Sequence, residues 1–264
     1  MAPPKGALRH QTSALFGIAV GNHLLTTNRL TFDFFFFLPF FPPIWYTIIM
    51  KCISRGNSYK EMTSMTERNF YEAVAHRRTN YALGRNIPVT EETIIDTVEK
   101  VTREVPSAFN MQSGRVIVAL GQYHDKVWEI VMDTLRKIVP ADKFAPTEAK
   151  VKGFAAAYGT LLYFEETDTV KKLQEQFPGY AANFPVWASQ GNGMLQFALW
   201  TALTDLGLGV NIQHYNPIID AAIKEAFEVP ESWTLVAQMP FGEPTADPKP
   251  IEKLPVQERV WVRK

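Results

Sequence analysis

The chain has 264 residues, of which 46% are hydrophobic, and this is enough apolar material for one large domain or two small ones. Lys plus Arg and Asp plus Glu both number 27, so the net charge is zero and the composition argues against a nucleic-acid-binding protein, which usually needs a basic field. The single cysteine, Cys52, excludes an intramolecular disulfide and a multi-cysteine metal site, and it favours a reducing compartment. The five histidines lack the i, i+4 spacing of a helical metal pair, so no metal is predicted.

Residues 1–61 differ from the remainder in charge and composition. They contain six Lys or Arg residues against Asp33 and Glu61, which is a net charge of +4, so the rest of the chain carries −4. Residues 31–50 contain seven phenylalanines and three prolines. This stretch is apolar enough for a membrane, but a spanning helix needs about 20 residues with satisfied backbone, and the prolines would break it near its middle.

Several interpretations of residues 1–61 therefore stay open. They are an extension outside the folded protein, upstream of a start at Met62 or Met65; a membrane anchor; a weak organelle-targeting segment; or an ordered packing segment. We divide the chain into this apolar, Pro- and Phe-rich extension and a folded domain over residues 62–264. Contact with a membrane is expected only if residues 31–50 are retained.

Helix signals begin at the start of the predicted domain. Ser64–Glu67 has the pattern of a capping box and predicts a helix that continues to about Arg77. Thr90 precedes apolar residues at helical spacing, beginning at Ile94, and this second predicted helix is stopped by Pro106.

The rest of the chain alternates between strand and helix patterns, which predicts an α+β fold. The predicted strands are 115–120, which is expected to be buried, and 157–165, 210–214 and 233–239. The predicted helices are 127–138, 167–177 capped by Thr167 or Asp168, 187–206 and 218–227. Because 187–206 is apolar on most sides, it is expected in a core or a subunit interface.

Three segments carry residue types suited to a phosphorylated, planar ligand. Arg77-Arg78-Thr79-Asn80-Tyr81 offers cations for a phosphate, and Pro106 to Gly114 offers side-chain amides for a ring. The third comprises LGLGVNIQHYN (206–216) and PFGEPTADPKPIEKLP (240–255). Each has an ordinary alternative. A double arginine can be a solvated charge cluster at the end of a helix, the amides can satisfy a buried loop, and a glycine pair can simply end a helix.

In this order the segments resemble the FMN-dependent nitroreductase family, and the middle block is most similar to its fungal and bacterial branch of fatty-acid-repression, or nitroreductase-like, proteins. The resemblance covers about residues 65–262. It implies an α+β fold with a mixed sheet flanked by helices, an intertwined homodimer with FMN at the interface, and hydride transfer from NAD(P)H to small aromatic electron acceptors such as nitroaromatics or quinones. The chemistry would belong to the flavin, so no catalytic side chain is predicted.

The same resemblance implies roles for ten residues. Arg77, Arg78 and Thr79 match positions that hold the FMN phosphate and ribityl chain. Tyr81 stands where many relatives have a second basic residue, and Lys253 is the candidate to make up that charge. Asn110 and Gln112 match positions that reach the flavin from the partner subunit. The backbone N–H groups of Leu208, Gly209 and Val210 are expected to approach the flavin ring.

The competing hypothesis is a flavin-binding regulatory or interaction protein in fatty-acid or oxidative-stress signalling, whose redox turnover is incidental. The expected location is the cytoplasm, with the nucleus as an additional possibility, and a membrane or organelle only if the extension is genuine. Trp187, Phe197 and Trp200 are expected to be core residues rather than substrate contacts.

Overall fold

The computed structural model describes residues 68–264. The predicted extension and the predicted capping box at Ser64–Glu67 lie outside the described residues. Among the helices that are described, none combines the length and the apolar character needed to cross a bilayer.

The described residues form seven α-helices and five strands, with four short 3-10 helices between or after them. The helices are α1 Phe70–His76, α2 Glu91–Glu104, α3 Gln122–Ile138, α4 Phe144–Ala155, α5 Thr167–Gln176, α6 Phe184–Asp205 and α7 Asp220–Ala226. The strands are β1 Leu83–Gly84, β2 Gly114–Leu120, β3 Gly159–Glu166, β4 Gly209–Val210 and β5 Trp233–Pro244. The predicted strand 210–214 is thus shortened to β4, whereas the last predicted strand is longer than expected.

Polar caps define where the first two helices begin. The Asn69 side chain accepts hydrogen bonds from the N–H groups of Tyr71 and Glu72, and the Glu72 carboxylate accepts one from the Asn69 N–H. This capping box starts α1 at Phe70, later in the chain than the Ser64–Glu67 pattern predicted. Helix α2 starts as predicted, because the Thr90 hydroxyl accepts a hydrogen bond from the N–H of Thr93.

The cap of α5 differs from the prediction. Glu166, rather than Thr167 or Asp168, accepts hydrogen bonds from the first backbone N–H groups of the helix, those of Asp168 and Thr169. Glutamate is an uncommon N-cap, so the usual preference for Ser, Thr, Asp or Asn pointed one or two residues too far along the chain.

The sheet has the strand order β1-β5-β3-β2, with β4 also paired to β5. All pairs between these five strands are antiparallel. Parallel pairing, which a mixed sheet requires, occurs in the described residues as one bridge between Thr79 and Val210. Helices and strands alternate along the chain as predicted, and the fold is α+β.

Strand β3 lies at the centre of the sheet and is buried on both faces. Leu161 and Tyr163 belong to the core that includes α2 and α6, whereas Leu162 and Phe164 belong to the core formed with α3, α4 and α7. Because successive side chains of a strand point to opposite faces, this burial requires helices on both sides of the sheet.

Strand β2 was expected to be buried, but only Ala119 of its seven residues is buried and the other six are half-buried. The physical reason is position: β2 pairs with β3 alone and lies at one edge of the sheet. A run of branched apolar residues indicates a strand, but it does not distinguish an edge strand from a central one.

Helix α6 is buried along one face only. Leu195, Leu199 and Leu203 pack in the core, whereas Val186, Met194 and Phe197 are 41–56% exposed in the single chain. The expectation that Phe197 is a core residue is therefore wrong for one chain. Of the two predicted settings for this helix, a core or a subunit interface, the subunit interface stays open for this exposed face.

Candidate active site

The Arg77–Tyr81 segment lies beside the segment Leu208–Val210. Thr79 forms a parallel bridge with Val210, and the backbone N–H of Asn80 donates a hydrogen bond of 2.9 Å to the Val210 carbonyl. Two of the three segments singled out in the sequence are therefore brought together within one chain, although 131 positions separate Thr79 from Val210.

A cavity of about 380 Å³ opens at the arginine segment. Its walls come from residues 77–82 on one side and from the C-terminal segment 246–251 on the other. The Arg78 guanidinium reaches across and donates a hydrogen bond of 2.5 Å to the backbone carbonyl of Lys249. We call this space the arginine cavity.

The arginine cavity concentrates positive charge. Within residues 68–264, neither Arg77 nor Arg78 forms an ion pair with a carboxylate, and Asp247 also lines the cavity. Partial burial and, to a lesser degree, the adjacent charge of Arg78 lower the pKa of Arg77 below its usual value. Two crowded guanidinium groups of this kind favour a bound anion, because it would offset both the burial and the repulsion.

Arg77 also contacts an aromatic ring. Its guanidinium carbon lies 4.4 Å from the centroid of the Trp200 ring on α6, within the range of a cation–π interaction. Trp200 is half-buried and packs against the core, so the expectation that it is a structural residue is confirmed, with the guanidinium as an additional contact.

Asn80 holds this part of the site together. It is buried, its amide nitrogen donates to the Ala246 carbonyl at 2.9 Å, and its amide oxygen accepts from the Ala82 N–H at 3.0 Å. The side chain of Asn211, which is also buried, donates to the Asn80 carbonyl at 2.9 Å. Asn80 therefore connects both walls of the arginine cavity. Sequence reasoning missed it because a polar residue in a polar motif gives no signal of burial.

The loop between α2 and β2 has an unusual backbone. Phe109, Asn110 and Gln112 have φ angles of 54°, 50° and 47°, the left-handed region that non-glycine residues rarely adopt. Ser107 helps to hold the loop, because its hydroxyl accepts a hydrogen bond of 2.9 Å from the Gln112 N–H. The Arg115 guanidinium donates one of 2.6 Å to the Gln112 carbonyl.

Aromatic packing also holds this loop. The Phe109 ring is stacked on Trp187 at 5.7 Å between centroids and 18° between planes, and it contacts Phe184 edge-on at 5.3 Å. The expectation that Trp187 packs structurally is confirmed. The side chains of Asn110 and Gln112 remain exposed. The loop thus presents two carboxamides to solvent, and its backbone is held by hydrogen bonds and by the packing of Phe109.

A larger cavity of about 590 Å³ lies between α2, α6 and β2, and Gln112 is part of its wall. It shares no lining residue with the arginine cavity. Within one chain, Gln112 and Arg77 therefore line separate cavities, and Asn110 lines neither. The predicted convergence of these residues from two protomers stays a prediction.

The buried glycine segment is more constrained than expected. A Cβ atom on Gly209 would lie 2.7 Å from Cδ2 of Leu83 and 3.2 Å from Cα of Pro244, so packing against β1 and β5 leaves little room for a side chain. The Leu208 N–H donates a hydrogen bond of 3.2 Å to the Leu203 carbonyl. The Leu208 amide therefore has a partner within the chain. A contact of Leu208, Gly209 or Val210 with a ligand stays a prediction.

The predicted role of Lys253 in compensating the phosphate charge stays a prediction. Lys253 is exposed in the C-terminal tail and is not part of the wall of the arginine cavity, where Lys249 lies instead. The motif EKLP suggested Lys253, and residues 251–264, which include this motif, are all exposed in the single chain. Tyr81 does line the cavity, and it is 60% exposed.

The comparisons with known proteins agree on one family. The sequence profile of the nitroreductase family matches residues 74–243. Nitroreductase FRM2 of Saccharomyces cerevisiae is 36% identical over 186 residues, which cover 69% of this chain and 91% of FRM2.

Solved structures extend the agreement to the fold. Nitroreductase CinD from Lactococcus lactis, in complex with chloramphenicol, is 45% identical, with a TM-score of 0.69 and coverage of 74% of this chain and 100% of CinD. CinD has also been solved with nicotinic acid and with 4-nitrophenol. A nitroreductase-fold protein from Desulfovibrio desulfuricans in complex with FMN is 16% identical, with a TM-score of 0.57 and coverage of 75% and 99%, and this likeness concerns the fold alone. On the family match and the identity to FRM2 and CinD, the chain belongs to the nitroreductase family.

Proposed function

We propose that the protein is an FMN-dependent oxidoreductase that takes hydride from NAD(P)H and delivers it to nitroaromatic or quinone-type acceptors. Membership of the nitroreductase family supports the oxidoreductase class. The FMN complex of the Desulfovibrio relative supports the choice of cofactor. One observation of this structure carries the proposal: Arg77 and Arg78 stand side by side at a cavity, without a carboxylate partner among residues 68–264.

The residues of the arginine cavity fit the phosphate of FMN. A phosphate monoester carries nearly two negative charges at neutral pH, and guanidinium groups match its geometry with paired N–H donors. Burial and the charge of Arg78 lower the pKa of Arg77. An anion in contact with Arg77 would offset both the cost of burying its charge and the repulsion from Arg78. Arg77, Arg78 and the Thr79 hydroxyl are the groups that would hold the phosphate and the adjoining ribityl chain.

The ring end of the cofactor requires a second copy of the chain. Gln112 lines the larger cavity, which is separate from the arginine cavity in one chain, and Asn110 lies exposed in the same loop; this supports a site built from Arg77 of one protomer and the Asn110–Gln112 loop of the other. The exposed apolar residues of α6 support the same arrangement, as do those of the C-terminal tail, among them Leu254, Trp261 and Val262 at 67–73% exposure. We therefore propose a homodimer with two equivalent sites.

When bound, FMN would supply the centre that accepts hydride from the nicotinamide and passes it to the acceptor. The protein supplies binding and orientation. Arg77 and Arg78 would fix the phosphate, while the carboxamides of Asn110 and Gln112 would donate to and accept from the ring edge, which an amide can do at once. Since no acid, base or nucleophile of this chain has to react, the absence of a catalytic triad from the predicted site residues follows from this chemistry.

The substrate class is supported by the complexes of CinD. This relative was solved with 4-nitrophenol, a nitroaromatic, and with nicotinic acid, whose pyridine ring resembles that of nicotinamide. We propose the same two classes of ligand for this protein. The choice between NADH and NADPH depends on a contact with the 2′-phosphate, so both donors belong in the test.

An absorption spectrum of the purified full chain tests the cofactor first. Flavin bands in the protein as purified, or after FMN is added and excess removed, are expected, and a colourless protein that does not retain added FMN would contradict the proposal. Stopped-flow mixing with NADH or NADPH should then bleach the bands, and 4-nitrophenol or a quinone should restore them. Bleaching too slow for turnover would favour the regulatory hypothesis.

We also propose that the folded domain spans residues 62–264 and that the protein acts in the cytoplasm. The single cysteine supports a reducing compartment. Mass spectrometry of protein from its native source tests the boundary. A peptide from upstream of Met62 would show that residues before Met62 are present in the protein, which would contradict a start at Met62.

A further inference from the structure

The guanidinium of Arg77 is held by a ring rather than by hydrogen bonds. It lies 4.4 Å from the centroid of Trp200, and among the hydrogen bonds of residues 68–264 its side chain donates none. Arg78, in contrast, donates to the carbonyl of Lys249. The two neighbouring cations are thus fixed in chemically different ways.

We propose that Trp200 is a positioning residue that holds Arg77 by the face of its guanidinium and leaves the N–H groups for the phosphate of FMN. This inference rests on the proposed function. Trp200 is not part of the wall of the arginine cavity, so it acts through Arg77 and not by contact with the ligand.

An aromatic ring holds a guanidinium for phosphate binding better than a carboxylate does. A carboxylate would occupy two N–H donors and neutralise the charge, and both are needed for the phosphate. An indole ring attracts the cation through its π electrons and takes no N–H group. The attraction also opposes the burial and the repulsion from Arg78 that lower the pKa of Arg77.

The packing makes Trp200 a fixed support. Helix α1 lies against α6, and an ion pair of 2.8 Å between Arg68 and Asp205 joins the start of α1 to the end of α6. Arg77, which follows α1, meets Trp200 one to two turns earlier on α6. Trp200 packs against the core cluster that includes Leu199 and Leu203, so the position of its ring is set by the core.

The test compares two flavins that differ only in the phosphate. FMN and riboflavin are titrated into the full chain freed of flavin, and the measured quantity is the ratio of their affinities. In Trp200→Leu this ratio should fall about three- to thirty-fold, the range of a partly buried cation–π contact. Trp200→Phe, which keeps an aromatic face, should keep most of the ratio. Arg77→Ala should lower the ratio, and adding Trp200→Leu to Arg77→Ala should change it no further.

Three results would overturn the inference. An unchanged ratio in Trp200→Leu would mean that the ring does not support phosphate binding. An equal loss of FMN and riboflavin affinity would assign Trp200 a general role in packing. An additive effect in the double variant would mean that Trp200 acts independently of Arg77. Failure of the unmodified protein to bind either flavin would instead refute the proposed function itself.

Discussion

At the scale of single residues, the site combines arginines that have no carboxylate partner within residues 68–264 with polar groups whose hydrogen bonds are made within the protein. Arg77 and Arg78 have no carboxylate partner within residues 68–264, whereas Asn80, two positions later, is buried and uses its amide oxygen and nitrogen within the protein. Adjacent residues of one motif therefore serve different purposes. The arginines are expected to affect ligand binding, and Asn80 is expected to affect stability.

Replacing Arg77 with Ala should weaken FMN binding about ten- to a hundred-fold, because a hydrogen bond to a charged group contributes roughly 1.5–3 kcal/mol. Arg78→Ala should do less, since its guanidinium is partly engaged by the Lys249 carbonyl. Equilibrium titration with FMN measures both. Arg136→Ala, at an exposed arginine of α3, is the control. Unchanged affinity in Arg77→Ala would place the phosphate elsewhere.

Replacing Asn80 with Ala should lower the free energy of unfolding by about 1–3 kcal/mol, because it removes a buried amide that bonds the Ala82 N–H and the Ala246 carbonyl. In a domain of this size each kcal/mol corresponds to roughly 2–4 °C in Tm. Thermal unfolding of the protein without flavin measures the change. Asn183→Ala is the control, since Asn183 is exposed and its side chain makes no capping hydrogen bond. Equal Tm shifts in the two variants would refute the structural role of Asn80.

At the scale of elements, α3 is joined to the sheet and to α4 by a buried histidine. His124 Nδ1 lies 2.9 Å from the Thr160 hydroxyl on β3, and Nε2 lies 3.2 Å from the Ala155 carbonyl. A carbonyl only accepts, so Nε2 carries the proton and Nδ1 accepts from Thr160. The Thr160 hydroxyl in turn accepts from the indole N–H of Trp128. These contacts suit a neutral imidazole.

The protein should therefore lose stability as the pH falls below about 6.5, the ordinary value for histidine. Burial lowers the pKa of His124, and this outweighs the opposing effect of its bond to Ala155. The unfolded chain consequently binds a proton at a higher pH than the folded chain, and acid favours unfolding. Urea unfolding between pH 8 and 5 measures the loss, and His124→Gln should remove part of it. A stability difference between the two proteins that does not vary with pH would refute the argument.

At the scale of the whole molecule, Arg77 and Gln112, two residues of the proposed site, line separate cavities of one chain. The arginine cavity holds the cations and the larger cavity holds Gln112, with no lining residue in common. In a symmetric dimer each site would take one half from each protomer. The exposed apolar face of α6 and the exposed C-terminal tail would then be covered by the partner.

Refolding two variants together, each of which binds FMN weakly, tests this arrangement. Arg77→Ala and Asn110→Gly, the latter compatible with the left-handed backbone at this position, should each bind FMN weakly. After unfolding and refolding together, half of the dimers should be mixed, and each mixed dimer has one intact site, so roughly a quarter of all sites should regain FMN affinity. A titration of the mixture that equals the average of the two separate variants would show that each site lies within one chain.

The sequence by itself determined the type and order of most elements, the α+β class and the family, because periodicity, caps and motifs are local properties. It placed Arg77, Arg78, Asn110 and Gln112 in recognisable motifs. Only the tertiary structure decided that β2 is an edge strand, that Asn80 is buried, that the Trp200 ring lies beside Arg77 and that Lys253 is not part of the wall of the arginine cavity. Each of these depends on contacts between residues distant in the chain, and a local pattern carries no information about which distant surface will cover it.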